Sequence, residues 1–283
     1  MNKLTKKEKI TTKVLSCTIC DAEAVLEEEI NDIKLYCCLV CNHYFTDANS
    51  LEYFENYKPQ YYETNWGHNP NYKLFNFISQ YIKKICSSGS VIDIGCGQGD
   101  FLLHLQKTNP ELSLTGIDLS QPSEAAGINF IRGDFLNEKF SQTYDVIVSL
   151  AVIEHIADVR SFVKKLYQIC KPNGHIFIMT IDNRGFLYKT ARMLKYIGLR
   201  QPFERLYSRH HLNHFNVFSL RNLFVGQGFS LVETLHHNIP IKSANTGFDS
   251  VAIDFCARVG LLIIFVLGKL TKKTYLQTVI CRR

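Results

Sequence analysis

The sequence predicts an α/β fold, a parallel sheet of βαβ units preceded by a small cysteine-rich module. Two observations predict it. From residue 90 onward, short apolar runs alternate with segments of helical spacing, the pattern of strands joined by crossover helices. Ahead of them, five of the ten cysteines fall between Leu15 and Phe45, a clustering typical of metal sites.

The elements follow in order. Residues 1–13 form a basic tail and 14–45 hold the cysteines. Residues 46–89, rich in Tyr, Phe, Asn and Pro, make an aromatic linker that leads into a helix near Asn71–Cys86. "SVIDIG" is a strand stopped by glycines, and "DFLLHLQKT" is helical. "LSLTGIDLS" and "INFIRGDF" are strands that each end near an acid. "YDVIVSLAVI" is continuously apolar, as in a strand buried on both faces. "DVRSFVKKLYQIC" is an amphipathic helix, "KPNG" a turn and "HIFIMTI" another strand. Residues 184–209 interrupt the pattern as a lid-like insertion of aromatics, Arg and Lys. "LRNLFVGQGF" is a helix closed by Gly228, and "SLVETLHH" and "YLQTVICRR" are strands around an apolar helical insertion at about 245–270.

Charge and hydropathy bound the function. The net charge is +6, but residues 1–13 carry +4 and residues 269–283 carry +5, so the body is slightly acidic at −3. A nucleic-acid face would put its positive charge on the folded body, so a nucleic-acid partner is not expected. No apolar segment follows the basic start "MNKLTKKEKITTK", which points to the cytoplasm, where disulfides are rare. The most apolar stretch, Val259–Gly268, has ten residues, and a bilayer-crossing helix needs about 20. Extending it backward meets Arg258 and Asp254. A buried or partner-facing helix is expected there; the alternative is a peripheral membrane contact through about 259–273, helped by the lysines that follow.

The strongest chemical signal is "VIDIGCGQGD". A strand ends at Asp93, and Gly95, Gly97 and Gly99 turn the chain into a helix near Asp100. Glycines permit the sharp bend and let a ligand approach the backbone closely. The spacing is G-x-G-x-G rather than the dinucleotide G-x-G-x-x-G. Asp93 would repel a phosphate but could receive a ligand ammonium or order the loop. Asp118 ends the second strand, where an acid can accept both hydroxyls of a ribose. Asp134 follows the third strand and could accept from an adenine amino group.

With "VIDIGCGQGDF", "LTGIDLS", "RGDF", "YDVIVSLAVIEHI" and "VRSFVKKLYQICKPNGHIFIMTIDN" in this order, the chain resembles the class I S-adenosylmethionine-dependent methyltransferases from about residue 70 to its end. The resemblance implies a Rossmann-like seven-stranded sheet whose last strand, here "YLQTVICRR", runs antiparallel. It implies that Asp93, Gly95, Gly97 and Gly99 surround the methionine part of S-adenosylmethionine, that Asp118 holds the ribose, and that Asp134, with Phe135 nearby, holds the adenine.

Methyl transfer to a hydroxyl needs an aligned acceptor and a proton acceptor. The acceptor pocket of such a sheet lies beyond the carboxyl ends of its strands. His155 is the first candidate base, with Glu154 to orient it or the substrate; a brace for the cofactor loop is the other reading. "RHHLNHF" supplies His211 and His214 as alternative bases or pocket lining, and H-x-x-x-H at 210 and 214 would place two imidazoles on one helix face.

Cys17-x-x-Cys20 and Cys38-x-x-Cys41, seventeen residues apart, have the spacing of a closed structural zinc site. Cys37 falls outside this pattern, and His43 is a spare ligand. A redox motif would use one C-x-x-C beside a βαβ unit, and an iron–sulfur centre would be more tightly spaced. A zinc ribbon ahead of this catalytic pattern resembles a bacterial arrangement whose members modify sugars or other small metabolites. Their catalytic half resembles the ubiquinone-type O-methyltransferases, so a small-molecule hydroxyl is the expected acceptor. The alternatives are a ribosomal-RNA guanine methyltransferase, a sugar C-methyltransferase, and a cofactor-binding assembly module without turnover.

Overall fold

The computed structural model describes residues 14–30, 33–47, 70–120, 125–207, 210–244, 246–247 and 249–283. The expected basic tail and most of the aromatic linker lie outside the described residues.

The larger sheet has seven strands. In chain order they are β5 (Gly89–Ile94), β6 (Leu112–Asp118), β7 (Ile128–Arg132), β8 (Tyr144–Leu150), β9 (Cys170–Ile181), β11 (Ser230–His237) and β12 (Leu276–Arg282). Their spatial order is β11-β12-β9-β8-β5-β6-β7. Strands β7, β6, β5, β8 and β9 pair in parallel, and β12 pairs antiparallel with both β9 and β11. The antiparallel last strand therefore stands where the resemblance placed it. The order reverses at β5, so the glycine loop after β5 opens at a topological switch point, where α/β sheets bind ligands.

The central strands are apolar throughout because both faces are covered. Ile92, Val146, Ile147 and Phe177 are fully buried. Helix α1 (Tyr72–Ile85) buries Leu74, Phe75, Ile78 and Ile82 at helical spacing, and Asn71 caps its start by accepting from the Leu74 N–H. Helix α2 (Asp100–Thr108) follows the glycine loop. Helix α3 (Val159–Ile169) starts at the Asp158 cap and buries Phe162, Val163 and Leu166. The "KPNG" stretch is not a free turn: it is taken into the start of β9 as an irregularity of the β8–β9 pairing, with Asn173 at φ 66°. Asn is one of the few residues that accepts this left-handed conformation.

The amino-terminal sheet has strand order β1-β2-β3-β4-β10. Its members are β1 (Leu15–Ser16), β2 (Glu23–Ile30), β3 (Ile33–Cys38), β4 (Tyr44–Thr46) and β10 (Asn213–His214). The last strand comes from the far side of the sequence: Asn213 pairs with Phe45 and His214 with Tyr44. Ile30, Ile33 and Leu35 of the hairpin pack with Tyr188, Phe203 and Tyr207. Those aromatics belong to α4 (Phe186–Tyr196), α5 (Gln201–Leu206) and the residue after it, the two short helices that the 184–209 segment forms. Helix α6 (Val217–Gly226) then leads to β11, with Gly228 at φ 96° closing the turn.

The apolar insertion corrects the buried half of its expectation. Helix α7 runs twenty residues, Val251–Leu270, and only Phe265 and Gly268 are buried. Asp254 and Arg258 do not end it, because they pair with each other one turn apart at 2.7 Å. It is not a core helix, because β11 and β12 pair directly along their lengths and leave the chain between them as an excursion. Among the described residues it is the one helix long and apolar enough to cross a membrane by length and composition.

Candidate active site

The glycine loop is built for a ligand. Gly95, Gly97 and Gly99 have φ of 70°, 54° and 84°, the left-handed region that glycine tolerates without strain. A side chain at Gly95 would meet Val152 at 2.3 Å, and one at Gly99 would meet Phe130 at 2.7 Å. These two are glycines because the protein leaves no room. At Gly97 a Cβ would meet nothing within 4 Å, so the open space there is available to a bound molecule. Gly97→Ala should therefore lower the melting temperature by only a few degrees, from a backbone strain of about 1–2 kcal/mol. The same variant should weaken S-adenosylhomocysteine binding by about tenfold or more; unchanged affinity would remove Gly97 from the cradle.

The acids surround this loop. Asp118 Oδ2 accepts the Gly97 N–H at 2.9 Å, and Oδ1 accepts the Ser120 N–H at 2.8 Å and its hydroxyl at 2.6 Å. Asp93 is 3% exposed and its Oδ1 has no hydrogen-bond partner. Burial, then the nearby Asp118 charge, pushes its carboxyl well above the usual carboxylate range. A buried carboxylate with an unpartnered oxygen beneath an open glycine loop suits a ligand ammonium, and the donor set fits S-adenosylmethionine. Asp134 Oδ1 accepts the Leu136 N–H at 2.9 Å and Oδ2 accepts from Asn137 at 2.6 Å, ordering the turn after β7. Phe135 is a core side chain packed edge-on against Phe162 at 5.3 Å, so a role toward adenine falls to its backbone.

A second cluster sits beyond the carboxyl ends of β8 and β9. Ala151, just after β8, has φ 60°, uncommon for a residue with a Cβ. A short 3₁₀ turn then carries Ile153–His155. Glu154 is 2% exposed, and its Oε2 accepts the Thr180 hydroxyl at 2.8 Å. Burial raises its carboxyl to about 7. His155 donates Nδ1–H to the His210 carbonyl at 2.6 Å, which selects the tautomer whose Nε2 can accept a proton. The His155 and His211 rings lie 5.0 Å apart, edge to face. Ligand-type atoms of Glu154, His155 and His211 all lie within 4.8 Å of one another. Burial holds His155 below its ordinary value, and burial and the neighbouring imidazoles hold His211 well below. The lowered values keep both imidazoles neutral, the form in which a ring nitrogen can accept a proton from a reacting hydroxyl.

The His214 ring lies 6.0 Å from that of His211, outside the close group of three. It is buried against Tyr207 at 4.6 Å and is held down to about 3 by burial. The helical arrangement in which His210 and His214 would share one face is not formed. Residues 213–214 are strand β10, since pairing with β4 satisfies backbone groups that a single helical turn would leave open.

The four cysteines of the two C-x-x-C pairs also converge. Cys17 and Cys41 Sγ lie 3.6 Å apart, Cys20 and Cys38 Sγ 3.5 Å, and all four within 4.8 Å of one another. A tetrahedral ion with metal–sulfur bonds near 2.3 Å would space its sulfurs by about 3.8 Å. Backbone N–H groups of Ile19, Val40 and Cys41 point at the sulfurs, each at 3.4 Å, and Asp21 and Asn42, one after each pair, take φ of 59° and 52°. The bond between Cys17 and Cys41 lowers the Cys17 thiol and raises the Cys41 thiol. The residues fit a structural zinc. Cys37, adjacent in β3, faces the opposite side of the strand, where its Sγ contacts the Cys38 carbonyl. His43 is not a spare ligand: it is buried, bonded through Nε2 to Asn213 Oδ1 at 3.1 Å and packed on Phe215 at 4.8 Å.

Sequence reading missed the residues that tie these pieces together. Thr180 holds Glu154, and Asn213 donates to the Ile156 carbonyl at 2.7 Å while accepting from His43. Asn216 caps α6 and donates to the Cys41 and Asn42 carbonyls at 3.0 and 2.8 Å. Only Asn216 carried a signal, as the first residue of an N-x-x-S capping box.

A family model described as a methyltransferase domain matches residues 66–234, more than half of the chain. The chain belongs to the class I S-adenosylmethionine-dependent methyltransferase family. It is 26% identical over 168 residues to a ubiquinone biosynthesis O-methyltransferase of Photorhabdus laumondii, covering 54% of this chain and 67% of that one. It is 30% identical over 115 residues to a malonyl-[acyl-carrier protein] O-methyltransferase of Calditerrivibrio nitroreducens, covering 40% and 46%. A methyltransferase structure from Archaeoglobus fulgidus superposes with a TM-score of 0.50 at 19% identity, covering 76% of this chain and 95% of that one, a likeness of fold. In this methyltransferase the depression of about 700 Å³ lined by Gly89, Ser90, Glu111 and Asp145 lies at the amino ends of the strands, away from the glycine loop.

Proposed function

We propose that the protein methylates a hydroxyl of a small molecule, a sugar or another metabolite. The observation that carries this reading is the convergence of Glu154, His155 and His211 beyond the carboxyl end of β8, the strand beside the one that feeds the glycine loop. S-adenosylmethionine, when bound, supplies a methyl group on a positively charged sulfur. Asp93 and the Gly95–Gly99 loop would hold its amino-acid part, Asp118 its ribose and the Asp134 turn its adenine. His155, fixed by the His210 carbonyl, would take the acceptor's hydroxyl proton. Glu154, in its ionised form, would stabilise the charge that His155 acquires. We further infer that Cys17, Cys20, Cys38 and Cys41 hold one structural zinc.

The test is transfer of a labelled methyl group from S-adenosylmethionine into a fractionated cell extract. Label should enter the small-molecule fraction. His155→Ala should lower the rate by about 100-fold or more while S-adenosylhomocysteine affinity changes little. Label in RNA would overturn the acceptor class, and an unchanged rate in the variant would overturn the base.

A further inference from the structure

We propose that α7 lies in the plane of an anionic lipid bilayer and docks the protein on it. The helix presents Phe255, Leu262, Ile263, Val266 and Leu270, each 50–77% exposed, at positions that recur on one helical face. Only 11% of its most apolar window is buried, far below what a core helix shows. Its one charged pair, Asp254 with Arg258, is internally neutralised.

The neighbouring helix widens this surface. Phe186, at the start of α4, donates its N–H to the carbonyl of Lys273, just past the end of α7. Arg205, at the end of α5, lies against Gly247, just ahead of its start. Helix α4 packs against α7, and it ends in the exposed Met193, Tyr196 and Ile197. Apolar area of this extent exceeds what scattered surface residues produce.

Charge selects the occupant. Exposed Lys269, Lys272 and Lys273 close α7, and no ion pair with an acid is formed by them among the described residues. Lys189 and Arg184 stand beside Lys273: burial first, and then the Lys273 and Arg184 charges, lower the Lys189 ammonium. Cations crowded at one end of an apolar helix match an acyl region under phosphate headgroups.

Topology decides that the helix lies in the surface rather than spanning it. Strands β11 and β12 pair from Ser230–Arg282 to His237–Leu276, so the chain leaves and re-enters the sheet at one end. A crossing helix would need the connection from His237 to Val251 to pass back through hydrocarbon, where backbone groups outside a continuous α-helix are left unsatisfied. Asn238 and Gly268 instead hold α7 to the body. Asn238 donates to the Phe265 carbonyl at 3.2 Å, and Gly268 lies so close to Lys273 that an added Cβ would meet its carbonyl at 2.8 Å. The docked edge also carries the end of β9, and with it Thr180 and Glu154.

Co-sedimentation of the full chain with phosphatidylcholine vesicles, with and without phosphatidylglycerol, tests the proposal. The wild type should bind the vesicles containing phosphatidylglycerol. Leu262→Glu with Val266→Glu should cut that binding by about tenfold or more, with thermal unfolding by circular dichroism showing that the variant is folded. Replacing Lys269, Lys272 and Lys273 by alanine should remove the dependence on phosphatidylglycerol. Absence of wild-type binding overturns the proposal, as does binding that neither variant changes. A wild-type dimer that the glutamate pair dissociates, without vesicle binding, would overturn it in favour of a second copy of the chain.

Discussion

Asp118→Ala should weaken S-adenosylhomocysteine binding by about 100-fold or more in a calorimetric titration, because hydrogen bonds to a charged acceptor contribute about 1.5–3 kcal/mol each. Two effects act in the same direction. The variant removes the carboxylate to which the proposed ribose contact is assigned. It also releases the Gly97 N–H and Ser120, which Asp118 now holds at 2.9 and 2.6 Å, so the loop is less ordered before the ligand arrives. Asp118→Asn keeps the shape and an acceptor oxygen but loses the charge, and its affinity should fall between the two. Undiminished affinity in the alanine variant would mean that the ligand lies elsewhere.

Cys38→Ser should release the zinc and lower the melting temperature by about 10 °C or more, since metal binding in such modules is folding free energy. Metal analysis of the wild type should find one zinc per chain; none would remove the metal assignment. Cys37→Ser should keep the metal, because that side chain lies on the other face of β3. The structure adds a consequence for activity. The Leu212 carbonyl accepts the Thr46 N–H at 2.9 Å, and the Leu212 N–H donates to the Glu154 carbonyl at 2.8 Å. Asn216 reaches back to the carbonyls of Cys41 and Asn42. Losing the metal should therefore lower methyl transfer along with stability. A variant without zinc but with full turnover would make the ribbon a detached appendage.

Much of this was legible in the chain. Strand and helix alternation comes from local burial patterns, and the glycine loop from backbone angles that only glycine accepts readily. Both are written within about ten consecutive residues. The two C-x-x-C pairs were equally plain, since a knuckle closes on itself and needs only its partner at a short distance. Other readings failed where contacts are distant in sequence. The His210–His214 spacing would have put two imidazoles on one face of a helix, but β4, far earlier in the chain, draws Asn213 and His214 into a strand. The apolar run at 259–268 suggested a buried or partner-facing helix, and the fold leaves all of α7 but Phe265 and Gly268 outside the core.

The residues alone thus established the sheet, its cofactor loop and the four thiols, because each rests on spacing within one element or one turn. Only the folded chain decided which imidazoles meet Glu154, that His43 braces Asn213 instead of binding metal, and that the ribbon ends on a strand from the acceptor side. Those outcomes depend on side chains brought together by long loops, whose closure costs entropy that grows only slowly with length. Local sequence carries no record of them.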